Sequence, residues 1–452
     1  MSYIEDMNKL SFEWELEYEG DWEFPSCCVT YGKLSLEHRQ LTIELIGHID
    51  DESQCVYIPS LLGKVKGKNH GTNVYVRLLN LNRIKTIDLL GNGANIYTYN
   101  ATDIFLSESK DSFDSPVKAV SINSFLLSKW ASTHNSNSLM CPFDWGSIAL
   151  SYPVQEADDG KKNILLQPRS SSIPMAICHY GNLPKKCFLD IQFNEEKDDF
   201  FDAQSFTRRI LYLFCLLSQA PIDLGYYFYS TDNGTFVHWN CIKHRYFLLE
   251  KTFSVSNNFS SITSASLPLF VEKWIAIYRD FTNSIDTFFN SFGRQFLPAE
   301  QRLKTYMSVI DGLTEKYELE GDGQTNDSKK IKELKEILDL VKDARCLTSI
   351  KYNKLKRTIF YESNISLGNR FVYMLNSLQN LLPDRLDEAW GYTCTKTRHK
   401  LTHVESEQTD VFSPYIYPKV VLDLETVICT YLLRNIEADI NLIRHTLHLP
   451  IR

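Results

Sequence analysis

Between about residue 10 and residue 250, apolar and polar positions alternate in short runs, the period of two of a strand with one buried face. Phe12-Glu13-Trp14-Glu15-Leu16-Glu17-Tyr18-Glu19 is the strictest case, with an acid at every second position. Leu41–Ile46 and Val74–Leu79 are similar runs rich in β-branched residues, and Leu89-Leu90-Gly91-Asn92-Gly93 supplies turn chemistry. Cys187–Phe193 continues the series, as do Tyr226–Tyr229 and Phe236–Trp239 on either side of Gly234. One helical period interrupts it. Ala203–Gln219 puts Phe206, Ile210, Leu213, Phe214 and Leu217 on one face and stops before Pro221. The prediction is a β-rich, sandwich-like domain with an embedded helix.

From about residue 268 the period becomes 3.6. Trp274, Ile277, Tyr278, Phe281 and Ile285 form one stripe, and Leu303, Met307, Ile310, Leu313 and Tyr317 the next. A polar loop, Glu318–Lys329, precedes a charged amphipathic helix marked by Ile331, Leu334, Leu338 and Val341. Phe371, Leu375, Leu378 and Leu382 mark a helix halted by Pro383, Asp384–Thr397 another, and Lys419–Leu447 a long closing one. The chain therefore reads as α+β and multidomain: a β-rich N-terminal domain over 1–265, a connecting helix over 266–298, and an all-α bundle over 299–452.

Composition narrows the class. Hydrophobic residues are 43% and charged residues 23%, as in folded globular protein. A net charge of −8 argues against a protein that coats nucleic acid, though not against an enzyme with one basic pocket. The opening residues carry acids and no secretory apolar segment. The longest apolar run, Ile210–Leu217, is far short of the roughly 20 residues that cross a bilayer. The expectation is a cytoplasmic protein without a membrane partner, its 11 cysteines mostly reduced and packed as small apolar groups.

Chemistry concentrates at Thr397-Arg398-His399-Lys400-Leu401-Thr402-His403. Lys396, Arg398, His399 and Lys400 cluster there, and no acid occurs from Ala389 through Val404. Arginine offers a planar, permanently charged fork for phosphate oxygens, with Lys396 and Lys400 as further phosphate contacts. Histidine can give or take a proton near neutrality. Together they suffice for RNA cleavage without metal or other cofactor: a base removes the 2′-OH proton, the oxygen attacks the adjacent phosphorus, and cations stabilise the pentacoordinate charge. Residues five apart lie about 140° apart around a helix, so Arg398 and His403 need not share a face, whereas His399 and His403 do. Two copies in a dimer offer two arginines and two histidines around one groove. With 18 Arg and 11 His in the chain, an Arg followed by a His after four to six residues arises about once by chance. The plain alternative is a surface arginine and a helix-capping histidine.

An Arg-polar-x-x-x-His segment in a helical bundle, followed by a long closing helix, resembles the HEPN ribonuclease superfamily, with His399 at the polar position. The opening motifs Gly20-x-Trp22-x-x-Pro25, Gly32-x-Leu34 and Leu45-x-Gly47, and the joint Leu216-Leu217-Ser218-Gln219-Ala220-Pro221-Ile222, extend the likeness over nearly the whole chain. More closely, then, the chain is similar to Apea-type HEPN proteins, which join a β-rich N-terminal domain to a HEPN bundle. The resemblance implies a metal-independent endoribonuclease with Arg398 and His403 in the catalytic roles, forming a homodimer or higher homo-oligomer through the HEPN domain. It further implies abortive-infection defence against phage by cleavage of host RNA, tRNA being a candidate. The N-terminal domain would sense a trigger such as a phage-derived protein, or restrain the nuclease. Many relatives carry Asn where this chain has His399, which leaves that residue between catalysis and shaping the helix.

Other constellations carry less. His238-x-x-Cys241-x-x-His244 has zinc-ligand residue types, with Cys178, His179 and Cys187 as further donors, but strand spacing scatters the first three over both faces. A buried cysteine flanked by exposed histidines is the simpler reading. Cys27-Cys28 lacks a partner pair, Arg208-Arg209 opens a helix as a solvated face, and Arg444, His445 and His448 suit the final helix carbonyls. The competing functional class is a non-catalytic helical dimerisation module carrying a β-rich protein- or carbohydrate-binding domain.

Overall fold

The structure is a computed structural model that describes residues 16–23, 29–37, 40–47, 56–67, 73–88, 95–124, 126–127, 130, 148–153, 161–171, 186–193, 200–222, 226–240, 255–256, 262, 266–292, 297–315, 336, 366–403 and 409–449. The chain divides into two compact units, Met1–Ile275 and Ala276–Arg452. The architecture is α+β, β-rich first and helical after. Among the described residues, no helix is long and apolar enough to cross a membrane.

In the first unit the strands are β1 (Leu16–Glu23), β2 (Val29–Glu37), β3 (Gln40–Gly47), β4 (Tyr57–Gly67), β5 (Asn73–Asp88), β6 (Asn95–Asn100), β7 (Asp103–Ser107) and β8 (Val117–Asn123). They continue as β9 (Ile148–Pro153), β10 (Lys161–Ser171), β11 (Lys186–Phe193), β12 (Tyr226–Thr231) and β13 (Gly234–Asn240). The sandwich expected from the alternation is replaced by one sheet, in the order β4-β1-β2-β3-β6-β5-β7-β13-β12-β8-β11-β10-β9. A further β4–β5 pairing closes its first six strands into a ring. The 16 residues of β5 make this possible. Its first half pairs with β4 on one edge and β7 on the other, its second half pairs with β6, and a bulge between Arg83 and Lys85 bends it.

The ring packs around Trp22 of the opening motif. Trp22 is fully buried among Leu34, Ile43, Leu45, Val65 and Val76, and its indole nitrogen donates to the Gly32 carbonyl at 3.4 Å. A Cβ on Gly63, opposite Trp22 in the β1–β4 register, would lie 2.5 Å from the indole ring, so only glycine leaves room for it. The expected Glu19 faces solvent and accepts from Tyr31 at 2.9 Å, while Phe12 to Glu15 lie outside the described residues.

Helix α1 (Phe200–Ser218) is the embedded helix, with Phe206, Ile210, Leu213, Phe214 and Leu217 buried as its period requires. The expected connecting helix is two, α2 (Ser266–Asp280) and α3 (Thr282–Ser291), parted at Phe281, whose ψ of 31° leaves the helical region; the division between units falls inside α2. The second unit continues with α4 (Ala299–Thr314), α5 (Leu367–Ser377), α6 (Glu388–Thr402), α7 (Tyr417–Asn435) and α8 (Ile440–Thr446). The single closing helix expected over 419–447 breaks because Glu437 turns left-handed at φ 61°. There the Ala438 N–H reaches the Leu433 carbonyl, closing α7 in a Schellman motif, and Asp439 caps α8 by accepting from the Leu442 N–H. The amphipathic helix expected over 331–341 lies outside the described residues except for Glu336.

Candidate active site

Helix α6 carries the basic segment, and it runs farther than the sequence pattern indicates. Asp387 caps it by accepting from the Trp390 N–H at 2.8 Å, and His403 ends it, its N–H donating to the His399 carbonyl at 2.9 Å. Gly391, Cys394 and Thr397, each three residues on from the last, form the buried stripe. A Cβ on Gly391 would come within 2.7 Å of Leu375, so glycine sets how closely α6 approaches α5. Burial also pushes the Cys394 thiol well above its ordinary value, with the Asp423 carboxylate adding to the shift; this cysteine is a packing group, not a nucleophile. The Thr397 hydroxyl accepts from the Phe412 N–H at 3.0 Å and ties the chain after the helix back onto it.

With that stripe inward, Arg398 is half-buried at the edge of the unit and His399, Lys400 and His403 are exposed. Arg398 Nη2 lies 3.6 Å from Asp311 Oδ2 on α4. The other Asp311 oxygen accepts from Arg370 Nη2 on α5, and Arg370 Nη1 donates to the Asp311 carbonyl at 3.2 Å. Two guanidinium groups thus share one carboxylate, and three helices meet at a site with one net positive charge. The His399 and His403 rings lie 4.7 Å apart at 45°, as the four-residue spacing predicts. They stand at the C-terminal end of the helix. Lys396 is paired with Asp410 at 3.0 Å on the surface, and Lys400 is exposed.

Helix α4, which carries Asp311, is locked to α7 by a buried ion pair. On α4, Arg302 reaches Glu425 Oε1 on α7 at 2.5 Å, and Tyr306 donates to the same oxygen. Burial, and next the Glu425 carboxylate, push the Tyr306 hydroxyl far above its usual value, so it stays a donor. Arg385 grips Asp423 of α7 through both terminal guanidinium nitrogens. Asp311 follows Ile310 on the fixed helix α4, which sets where its carboxylate meets Arg398.

Asp311 and Arg370 escape the sequence reading. Neither belongs to a spaced motif, and 87 residues separate Asp311 from Arg398. The acid-free stretch 389–404 reads as a bare positive patch until α4 supplies a carboxylate from elsewhere in the chain.

The weaker constellations resolve in part. His238 is buried, not exposed as expected: its Nε2 lies 2.8 Å from Asp103 Oδ1 and its ring stacks on Phe105 at 4.4 Å. Cross-strand pairing of β13 with β7 brings these groups together. Cys241, His244, Cys178, His179, Cys27 and Cys28 lie outside the described residues, and the side chain of Cys187 is undescribed. Among the described residues, no three His, Cys, Asp or Glu side chains group to hold a metal. Arg444 donates to the Asn380 carbonyl at 3.2 Å, and Arg208 is exposed.

Comparison with family models, with curated proteins and with solved structures finds no match to this chain.

Proposed function

We propose that the protein is a metal-independent endoribonuclease of the HEPN type whose active site lies in the helical unit. One observation carries the reading: Arg398 is held by Asp311 beside Arg370, on the helix whose last turn presents the His399 and His403 rings together. Arg398 binds and neutralises the scissile phosphate. His403 takes the 2′-OH proton and returns it to the 5′-oxygen that leaves, with His399 as its accessory. Lys396 and Lys400 neutralise flanking phosphates. Attack by the 2′-oxygen forms a bond to phosphorus as the P–O5′ bond breaks, giving a 2′,3′-cyclic phosphate and a 5′-OH. No redox partner or cofactor enters this step. A homodimer or higher oligomer through the helical unit would gather two copies of the site around one strand.

The substrate is host RNA, with tRNA the first to test, and the biological setting is abortive infection against phage. The β-rich unit senses the trigger or restrains the nuclease. Purified protein incubated with tRNA in excess EDTA should yield fragments ending in 2′,3′-cyclic phosphate. Fragments with 3′-OH ends, or cutting that requires added divalent metal, would remove this mechanism.

A further inference from the structure

The first unit contains a second candidate site, independent of the ribonuclease reading. A cavity of about 470 Å³ opens where the ring of strands passes into the extended sheet. That volume is within the range of small-molecule sites, roughly 300–1,000 Å³. Its walls are four phenylalanines: Phe105 on β7, Phe236 on β13, Phe200 at the start of α1, and Phe113 in the 3₁₀ turn Lys110–Asp114. Phe200 meets Phe105 edge-on at 5.0 Å, and Phe113 meets Phe236 edge-on at 5.7 Å. Behind them His238 stacks on Phe105, and Tyr229 stacks on Phe236 at 4.9 Å. Phe105 and Phe236 are therefore each backed by a second ring.

The lining also contains one charged pair. Arg77, opposite Phe105 in the β5–β7 register, lies over the Phe113 ring at 5.0 Å and binds both oxygens of Asp114 at 2.8 and 2.9 Å. It also donates to the Phe113 carbonyl at 3.5 Å. A guanidinium has five N–H donors, so Nε–H and one Nη2–H remain, and each carboxylate oxygen keeps a further lone pair. Asp114 is 70% exposed and open to a ligand. Donors and acceptors thus stand side by side next to apolar, aromatic walls.

That combination selects a ligand class. An aliphatic chain leaves the charged pair unmatched. A sugar would reach Ser60 and Ser115 as well as the charged pair, but its puckered ring offers no flat face to four phenylalanines, and a bare phosphate meets the Asp114 carboxylate. A nucleobase has two flat faces for phenylalanine and an edge bearing both donors and acceptors. Guanine matches most completely: its N1–H and N2–H suit a carboxylate, and its O6 and N7 suit an arginine fork. We propose that this cavity binds a guanine base, carried either by a free nucleotide or at the end of a nucleic-acid strand.

Calorimetric titration of the full chain tests it with guanosine, GMP, inosine, adenosine, ribose 5-phosphate and an oligothymidylate bearing one terminal deoxyguanosine. Guanosine and GMP should bind alike. Inosine, which lacks the N2 amino group, and adenosine should each bind at least tenfold more weakly, and ribose 5-phosphate not at all. Asp114→Asn should weaken guanosine tenfold or more, and Arg77→Lys should weaken it as well. Tighter binding of the oligomer than of GMP assigns the base to a nucleic acid; the reverse assigns it to a free nucleotide. The proposal is overturned if guanosine does not bind at millimolar concentration, or if adenosine equals it. The base comparison needs no variant, so a substitution that impairs folding cannot obscure the result.

Discussion

Arg398 on α6 lies 3.6 Å from Asp311 on α4, and the same carboxylate is gripped by Arg370 on α5. An arginine held this way is oriented before any phosphate arrives, and a second cation stands beside it. On the ribonuclease reading, Asp311 is a positioning residue. Asp311→Asn should lower kcat about 10- to 100-fold through misplacement of Arg398, with KM changed less. Asp311→Glu should restore part of the loss. Equal kcat in Asp311→Asn and the parent would mean that Arg398 needs no orienting partner.

The buried pair Arg302–Glu425 makes the helical unit sensitive to a single charge. Removing one partner leaves the other charge buried and uncompensated, which costs about 3–5 kcal/mol. Glu425→Gln should fall near the lower end because an amide still accepts a hydrogen bond, and Tyr306→Phe should cost about 1 kcal/mol. Urea unfolding measures both. A smaller loss for Glu425→Gln than for Tyr306→Phe would contradict this order.

Gly63 leaves the space that Trp22 fills, a Cβ there lying 2.5 Å from the ring. Gly63→Ala must displace the indole or open the β1–β4 edge, at about 1–3 kcal/mol. Trp22 fluorescence and the thermal midpoint should shift together. An unchanged midpoint would mean that the ring relaxes freely.

Asp114 supplies a pH dependence with a defined sign. Hydrogen bonds from Arg77 hold its carboxyl below the usual carboxylate range, against the smaller opposing effect of burial. A lowered value means that the stabilisation is complete above the ordinary carboxylate pKa and is lost as pH falls through the lowered one. The stability difference between the parent and Asp114→Asn should therefore hold steady from neutrality to about pH 4, near that ordinary value, and shrink below it. A difference that grows in acid would reverse the assignment.

Much of this fold is legible in the chain, and the places where it is not have physical causes. The buried face of α1 and the strands β3, β11 and β12 follow from periodicity, because each buries one face. Closure of the ring does not, since it depends on one long strand serving two edges, which no local pattern records. Helix ends fail for another reason. Helices α1, α7 and α8 each end with a residue in left-handed conformation, Gln219, Glu437 and His448, where glycine is the usual residue. A left-handed residue with a side chain costs roughly 1–2 kcal/mol, so Glu437→Gly should stabilise the helical unit by about 1 kcal/mol. The basic segment of α6 is visible as composition, but its carboxylate partner arrives from 87 residues upstream.

The central claim is that Arg398 and His403 cleave RNA, and one measurement tests it most directly. The rate of tRNA cleavage in EDTA is compared for the parent, Arg398→Ala and His403→Ala, all at matched folded concentration. The account predicts cyclic-phosphate fragments from the parent and a loss of at least 100-fold in each variant. Cleavage by His403→Ala at the parental rate would contradict it.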